Sequence, residues 1–580
     1  MLSSGMLLGA SEFWMSRWLT PVWLLGGGVG VGLAALAILL GILLILSKVP
    51  FFEKLPKQGL LAHVLALIGA LALGATTAWM VRPGFQSELG EFRTDEWLLV
   101  AASHVLLFGL LTWTLAFCAN SRFLGEIKSV LLEGIGGYLL GTTATIAAVG
   151  LLCTVVADEP LKILSSLPQL FQAGEVVQKV SIPGVKSDEA SSEYIPLEIE
   201  YQPNLIERVS IRSNRNIVIA DAPTVSLLRM PPVSIVANEP REWSRKQKEA
   251  PPIPMGDGAQ IFAQNTEIDD AEVVFTLRSL PAVPEVSTIL VTALTVIGFG
   301  LLFFLQQGVA PKAAAVALAA AKSEVGQPLF LVLIGIGTLC ILLGVFMPFY
   351  TFGEDIKLLK DCGITVILIL ALFQGIWSAS SSVSEEIEGR TALTVLSKPI
   401  GRRSFLFGKI LGVFWLILLM FMILGSFELL AIAYKPLYDA REGALDTPLW
   451  EICHREMART VPGLAMGLFH SVTLSAFAVA FATRIPQLAN FTLCFSIYLL
   501  GHLTQSILVS AEGGFAILQF VAQLIAVIIP DLEHFSMQAA IDTENPIPMS
   551  YLAGTLLYSL LYTGIAVLLG LLLFEDRDLA

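Results

Sequence analysis

The stretch "SSVSEEIEGRTALTVLSKPIGRRSFLFGK" (residues 381–409) places charged side chains between two long apolar runs. These charged residues are Glu385, Glu386, Glu388, Arg390, Lys398, Arg402, Arg403 and Lys409. On membrane-insertion scales each charge costs about 2.5 to 3.5 kcal/mol at the bilayer centre. The stretch is therefore predicted to leave the membrane between two spanning segments.

The whole chain has the composition of a membrane protein. Of its 580 residues, 55% are hydrophobic and only 14% are charged, and apolar runs of about 20 residues recur along it. The net charge of -13 disfavours nucleic acid as a partner. We expect the lipid bilayer to surround most of the chain.

The apolar runs predict about eleven transmembrane helices. They cover residues 22–46, 60–81, 97–117, 130–156, 286–305, 329–349, 363–383, 405–434, 461–482, 491–510 and 552–574. A shorter run, 515–529, favours a re-entrant or interfacial segment. The predicted fold class is an α-helical polytopic membrane protein with an inserted extracytoplasmic β-rich domain.

The distribution of Lys and Arg predicts which loops face the cytoplasm. The set of alternate loops that includes residues 381–409 is the richer in these residues. It is assigned to the cytoplasm, with the N-terminus outside and the C-terminus inside. The first apolar run lacks a cleavage signal and is expected to remain as a helix.

The polar region 157–285 falls outside the membrane on this map. Alternation in "YIPLEIEY" puts Ile195, Leu197, Ile199 and Tyr201 on one face, and "AEVVFTLRS" also favours a strand. Proline-rich segments interrupt the region. We expect a small extracytoplasmic β-sandwich with a disordered loop over residues 243–258.

The charged insert itself has a helical pattern. Glu386 lies four residues before Arg390, the favourable order for an ion pair, and Ile387, Thr391 and Val395 share a helix face. Pro399 should end this helix. The pattern predicts a short amphipathic cytoplasmic helix that serves as a docking surface for a soluble protein.

The sequence "EEIEGRTALTVLSKPIGRRSFLFGKILG" resembles the coupling segment of type 2 ABC transporter permeases. That segment has an acidic residue, a Gly/Arg-Thr step, a Leu-rich turn, Pro, Arg and Gly-Lys. The C-terminal "RDL" is also similar to the family's ending. The resemblance covers about residues 310–580 and looks most like permeases of nitrous-oxide-reductase maturation and gliding motility.

The resemblance implies which residues contact or support an ATP-binding subunit. They are Glu385, Glu386, Glu388, Gly389, Arg390, Thr391, Leu393, Leu396, Pro399, Arg402 and Lys409. Pro399, Arg402 and Lys409 would fix the exit of the segment. Gly401 stands where the family commonly has Ser or Thr, so that side-chain contact is not carried over.

The apolar runs and the resemblance together predict four regions in the chain. They are an N-terminal four-helix module (1–156), the external domain (157–285), a fifth helix with a cytoplasmic connector (286–327), and a six-helix permease core (328–580) whose coupling helix is 384–403. The chain itself is expected not to be an enzyme. It has no G-x-x-x-x-G-K-[ST] phosphate loop, because Gly408 and Lys409 lack the upstream Gly and the following hydroxyl.

The resemblance, together with that missing loop, implies the partners. ATP would be bound by a separate P-loop subunit, with no cofactor held by this chain, and the permease would act as a homodimer or with a paired homologue. Export is the direction that the family favours, in a bacterial plasma (inner) membrane. The external domain would bind the substrate or an envelope protein.

Several polar residues within the apolar runs have two interpretations. Glu133 and Glu428 are candidates for an intramembrane polar site, although each can equally pair or extend to an interface. His63, His104, His470 and His502 are separated in sequence, which favours hydrogen-bonded helix packing.

The glycines of "LLGGGVGVG" favour close helix contact over a nucleotide loop. Six scattered cysteines have no metal-ligand spacing and are expected to be packing residues.

Two alternatives to a transporter remain open. One is a membrane scaffold or mechanical relay, which anchors an envelope complex through the external domain and binds an ATPase without moving a substrate. The other is a membrane-embedded enzyme, for which Glu512, Asp531 and Glu533 are the nearest carboxylate group.

Overall fold

A computed structural model describes residues 12–81, 94–171, 173–184, 194–199, 201, 203–245, 251–254, 260–347, 354–385, 401–511, 515–543 and 545–575. Its longer helices are α1 Glu12–Leu46, α2 Leu60–Val81, α3 Thr94–Cys118, α4 Ser121–Leu132, α5 Gly134–Cys153, α6 Ser287–Val309, α7 Pro311–Val325, α8 Pro328–Phe346, α9 Asp355–Ser380, α10 Arg402–Glu442, α11 Trp450–Ala482, α12 Gln487–Ala511, α13 Ala516–Ile528 and α14 Met549–Glu575. The strands are β1 Gly174–Ile182, β2 Ile195–Leu197, β3 Ile206–Ser213, β4 Ile217–Ala220, β5 Val233–Ile235, β6 Arg241–Ser244, β7 Ile261–Asn265 and β8 Ala271–Ser279.

Ten of these helices are long and apolar enough to cross a membrane, counted over the described residues. They are all the longer helices except α4, α7, α9 and α13. The chain is therefore a multi-pass membrane protein, as the apolar runs predicted. Helix α13 has 13 residues, which is too short for a full crossing, in agreement with the separate treatment of that run.

The predicted span 363–383 forms part of helix α9 but is not among the ten. Asp355, Lys357, Lys360 and Asp361 occupy the first two turns of this 26-residue helix. The remainder of α9 is apolar apart from Thr365, Gln374, Ser378 and Ser380, and much of it is buried. A membrane crossing by α9, the eleventh expected from the sequence, thus stays a prediction. The contacts at the two ends of α9 are described below.

The chain folds as two compact units. The larger contains Met1–Leu67, Leu110–Asp158 and Thr288–Ala580, and the smaller contains Ile68–Gly109 and Glu159–Ser287. In the larger unit α10 and α11 form the centre. Of the residues in the most apolar 18-residue stretch of each helix, 67% in α10 and 72% in α11 are buried. Helices α7, α8, α9 and α14 pack against α10, so the protein itself, rather than lipid, covers most of α10.

Glycines allow α1 to approach its neighbours closely. A Cβ built on Gly26 would lie 2.5 Å from the Cα of Gly150 on α5, and one on Gly28 would overlap Thr292 on α6. Small residues drive close contact between membrane helices because van der Waals packing there replaces the hydrophobic effect. The helix-packing interpretation of "LLGGGVGVG" is confirmed.

Substituting Gly26 should therefore destabilise the chain, while substituting its neighbour should not. Gly26→Val forces α1 away from α5, and overpacking of this kind costs about 1–3 kcal/mol. Gly27 has nothing within 4 Å of a built Cβ, so Gly27→Val is the matched control. Thermal unfolding of the purified full chain should show a lower midpoint for Gly26→Val only, and equal midpoints would contradict the close contact.

The polar middle region contains two antiparallel four-stranded sheets. Their strand orders are β1-β8-β3-β6 and β2-β7-β4-β5. In the first sheet Val176 pairs with Leu277, and in the second Ile219 pairs with Ala263. One cluster of buried side chains draws on both sheets, with Val209 and Phe275 from one and Ile219 and Ile261 from the other. The predicted β-rich region is confirmed, and its shared core has the arrangement of a sandwich.

Two details of this region differ from the sequence prediction. Trp243, assigned to a loop, lies in strand β6, pairs with Val209 and is buried. Ile253 is fully buried, and Tyr201 donates to the carbonyl oxygen of Pro254. Burial of these apolar groups overrides the loop tendency of the prolines. Ile195 is exposed, so the expected alternation begins only at Leu197.

Four of the six cysteines are packing residues as expected, whereas Cys340 and Cys362 are exposed. All six are free, and Cys118, Cys153, Cys453 and Cys494 are buried. No group of three or more His, Cys, Asp or Glu side chains within the described ranges has a metal-binding arrangement.

Candidate coupling site

Most of the predicted coupling residues lie outside the residues that the structure describes. These are Glu386, Glu388, Gly389, Arg390, Thr391, Leu393, Leu396 and Pro399. The amphipathic helix therefore stays a prediction, as does the contact of Glu385, of which only the backbone is described. What the structure does define is the frame on either side of residues 386–400.

The entry to the segment is a π-helical turn. Helix α9 continues at Ser380 into Ser381–Glu385, a rare conformation that occurs mostly as single turns and often at functional sites. The hydroxyl of Ser381 donates to Oε1 of Glu324 on α7 at 3.2 Å. Asn490 of α12 donates to Oγ of Ser380 at 2.8 Å. Neighbouring helices thus hold this turn through buried polar bonds.

Lys409 connects the entry to the exit. Its ammonium on α10 donates to the carbonyl oxygen of Ser382 at 2.8 Å, while its side chain is buried at 2% exposure. A buried ammonium needs an acceptor, and the carbonyl oxygen of Ser382 in the π turn provides one. Because it is buried, Lys409 acts by positioning α9 and α10 relative to each other.

The exit is joined to the last helix. Arg402, the first residue of α10, donates to the carbonyl oxygens of Phe574 and Glu575 at the end of α14. Its guanidinium also lies 5.7 Å from the centre of the Phe574 ring. Arg484 donates to the carbonyl oxygen of Leu573 at 2.6 Å. Both cations interact favourably with the negative end of the helix dipole.

A glycine pair brings α7 against the start of α10. A Cβ on Gly408 would lie 2.6 Å from the carbonyl oxygen of Ala313, and one on Gly412 would lie 2.9 Å from that of Ala317. The spacing of four residues puts both glycines on one helix face. The sequence analysis missed this contact, although the Gly-x-x-x-Gly spacing opposite an alanine-rich helix was readable.

Loops that were assigned to one side of the membrane meet at one end of the larger unit. Glu53 accepts hydrogen bonds from the backbone and hydroxyl of Ser121, and a Cβ on Gly134 would touch Lys322. The hydrogen bond from Ser381 to Glu324 also joins segments that were assigned to that side of the membrane. The Ser121 bonds lower the pKa of Glu53 below its ordinary value.

A second group of contacts involves loops that were assigned to the opposite side. The ammonium of Lys360, near the start of α9, pairs with Glu456, near the start of α11. Arg17 lies 3.8 Å from Asp158. Helix α9 therefore starts beside the Lys360–Glu456 pair and ends beside the Ser381–Glu324 bond. A helix that crosses the membrane would connect the two sides in this way.

Glu428 is the most isolated acidic group in the core. It is fully buried in α10, and neither carboxylate oxygen has a hydrogen-bond partner among the described residues. A Cβ on Gly363 of α9 would lie 2.1 Å from Oε2 of Glu428, so the missing side chain makes room for the carboxyl group. Ionisable groups inside a membrane protein are functional candidates by default.

Glu133 has a different environment. It is exposed at the junction between α4 and α5 and makes no side-chain hydrogen bond to the end of α5. The structure does not bring Glu133 and Glu428 together as one site.

The histidines divide into two kinds. His63 accepts a hydrogen bond from Nε1 of Trp113, and Nδ1 of His104 lies 2.7 Å from the carbonyl oxygen of Val100. Hydrogen-bonded helix packing is confirmed for His63, whereas the His104 contact is within its own helix. His470 and His502, in contrast, lie with ring centres 5.4 Å apart, and each Nε2 is buried without a partner in the described structure. His470 and His502 therefore pack between α11 and α12 as expected, but the expected hydrogen bond at Nε2 is not seen among the described residues.

The carboxylates considered for an enzyme show limited clustering. Asp531 accepts a hydrogen bond from Gln505 at 2.8 Å and from the backbone of Glu533. Glu512 lies outside the described residues.

Comparison with known proteins adds no assignment. No protein-family model matches the chain, and no characterised protein gives a significant match.

Lys409→Met should loosen the frame locally. Met keeps the apolar stem but removes the donor to Ser382, and an unsatisfied buried polar group costs about 1–3 kcal/mol. Amide hydrogen exchange in peptides covering 378–385 and 402–410 should therefore accelerate by about tenfold. Lys322→Met removes an exposed ammonium on α7 and is the control. Equal exchange in both variants would show that Lys409 does not hold the π turn.

Glu428→Leu should leave the thermal midpoint unchanged or raise it, because no hydrogen bond in the described chain is lost. The matched variant is Lys435→Leu on the same helix. Lys435 is equally buried but pairs with Asp439 at 2.9 Å and donates to Val345, so this variant should lower the midpoint. A large loss in Glu428→Leu alone would show that the carboxyl group is structural and not retained for function.

Proposed function

We propose that the chain is the membrane-spanning permease subunit of an ATP-binding cassette transporter. A separate P-loop subunit binds and hydrolyses ATP and docks on residues 385–396. The transported substrate is exported across a bacterial plasma (inner) membrane. The permease works as a homodimer or with a paired homologue, because two ATPase subunits act on two such segments.

The polar frame around residues 386–400 is the observation that supports this proposal most. A segment that only returns the chain to the membrane needs no buried ties at its ends. Here Ser381, Lys409 and Arg402 join α9, α10, α7 and α14 at the points where the segment enters and leaves. A force applied to the segment would reach four helices at once.

The central position of α10 supports the same mechanism. This 41-residue helix begins at the exit of the segment and is packed against most of the larger unit. ATPase closure would move the start of α10, and the buried core would transmit that motion because close-packed interiors deform in discrete steps. Glu428 lies on this helix, in the core that the motion would rearrange.

The decisive experiment is recovery of the partner. The tagged full chain is purified in mild detergent as wild type and with Glu385, Glu386 and Glu388 reversed to Lys. We expect a P-loop ATPase with the wild type, reduced at least tenfold in the triple variant, since close charge pairs at an interface are worth several kcal/mol. The control reverses Glu198, Glu239 and Glu242, three exposed glutamates of the β region.

Two results would contradict the proposal. One is the absence of an ATPase from every preparation. The other is an equal loss in both triple variants, which would show a general effect of charge.

An ATPase that is recovered but supports no substrate movement after reconstitution would favour the scaffold or relay. In that case the β region would anchor an envelope complex.

A further inference from the structure

A small basic pocket lies where the start of α9 meets the start of α11. It has a volume of about 70 Å³, well above the roughly 10–15 Å³ that one water molecule needs. Its charged lining residues are Lys357, Lys360, Glu456 and Arg459. Three cations and one anion thus line the pocket, and Glu354 beside it pairs with one of the cations.

The cations in this pocket are not equivalent. Lys360 pairs with Glu456, and Lys357 pairs with Glu354 at 3.0 Å. Arg459 is half-buried, and its guanidinium has no hydrogen bond or ion pair with any described residue. A guanidinium presents a planar set of donors that matches the oxygens of phosphate or carboxylate in a two-bond geometry. Arg459 therefore lines the cavity with guanidinium donors that no described residue uses. The two lysines beside it are each paired with a glutamate.

The remaining wall of the pocket is largely apolar. It includes Ile356, Met537, Ala540, Ile541 and Ile547. A cavity with basic groups on one side and apolar side chains on the other suits an amphiphile better than a free inorganic ion. In a multi-pass membrane protein, the amphiphile present at high concentration is a bilayer lipid.

We propose that this pocket binds the phosphate group of an anionic phospholipid, with Arg459 as the two-bond donor. Lys360 is held in place by Glu456 and adds positive charge. Ile356 and Ile547, the half-buried apolar residues of the lining, contact the hydrocarbon next to the headgroup. This inference requires only that the chain is in a membrane and is independent of the ATPase partner.

Arg455 provides a matched control. It lies four residues before Arg459 on α11, is exposed, and does not line the pocket. Arg455→Gln and Arg459→Gln therefore make the same change of charge on the same helix. Neither side chain has a protein partner in the described structure, so neither substitution removes a contact that holds the fold.

The test measures lipid binding to the delipidated full chain by native mass spectrometry. Short-chain phosphatidylglycerol, short-chain phosphatidylcholine and sodium phosphate are titrated separately. We expect phosphatidylglycerol to bind best, with affinity reduced about tenfold in Arg459→Gln and unchanged in Arg455→Gln. Arg459→Lys, which keeps the charge but not the fork, should be intermediate and guards against misfolding of the glutamine variant.

Three results would overturn the proposal. One is equal loss of lipid in both glutamine variants, which would indicate surface charge alone. Another is binding of phosphatidylcholine as tight as that of phosphatidylglycerol. The third is occupancy by inorganic phosphate with no retention of lipid, which would assign the pocket to a free ion.

Discussion

The bond from the buried ammonium of Lys409 to the carbonyl oxygen of Ser382 is the interaction on which the arrangement around the charged segment depends. It closes a loop of chain that begins in a π turn and returns at α10. A buried cation needs a hydrogen-bond acceptor, and the carbonyl oxygen of Ser382 is one. The ammonium and the carbonyl oxygen therefore satisfy each other. Their bond fixes the distance between the described residues on either side of 386–400.

The rest of the larger unit is organised around this closure. Gly408 and Gly412 bring α7 to the same stretch of α10, and α7 also provides Glu324 to the π turn. Arg402 connects the first turn of α10 to the end of α14. The described residues that flank 386–400 and the buried helix α10 thus belong to one connected set of contacts.

Much of this fold was readable from the sequence, because membrane spans and strands have strong periodic signals. The apolar runs predicted every helix that is long enough to cross, and "AEVVFTLRS" predicted β8. Contacts between distant elements were not readable. The proximity of His470 and His502 depends on how α11 packs on α12. Trp243 lies in strand β6, where its side chain is buried. Lys409 was recognised by resemblance, but its partner at Ser382 follows only from the tertiary structure.

Photocrosslinking in cells can test the proposed contact between residues 386–400 and a P-loop ATPase. A photoreactive amino acid replaces Leu393 in the segment and, as a control, the exposed Leu445 after α10. We expect an ATPase crosslinked at position 393 and not at 445, identified by mass spectrometry of the adduct. Crosslinks to lipid alone at 393, or the same protein at both positions, would contradict it.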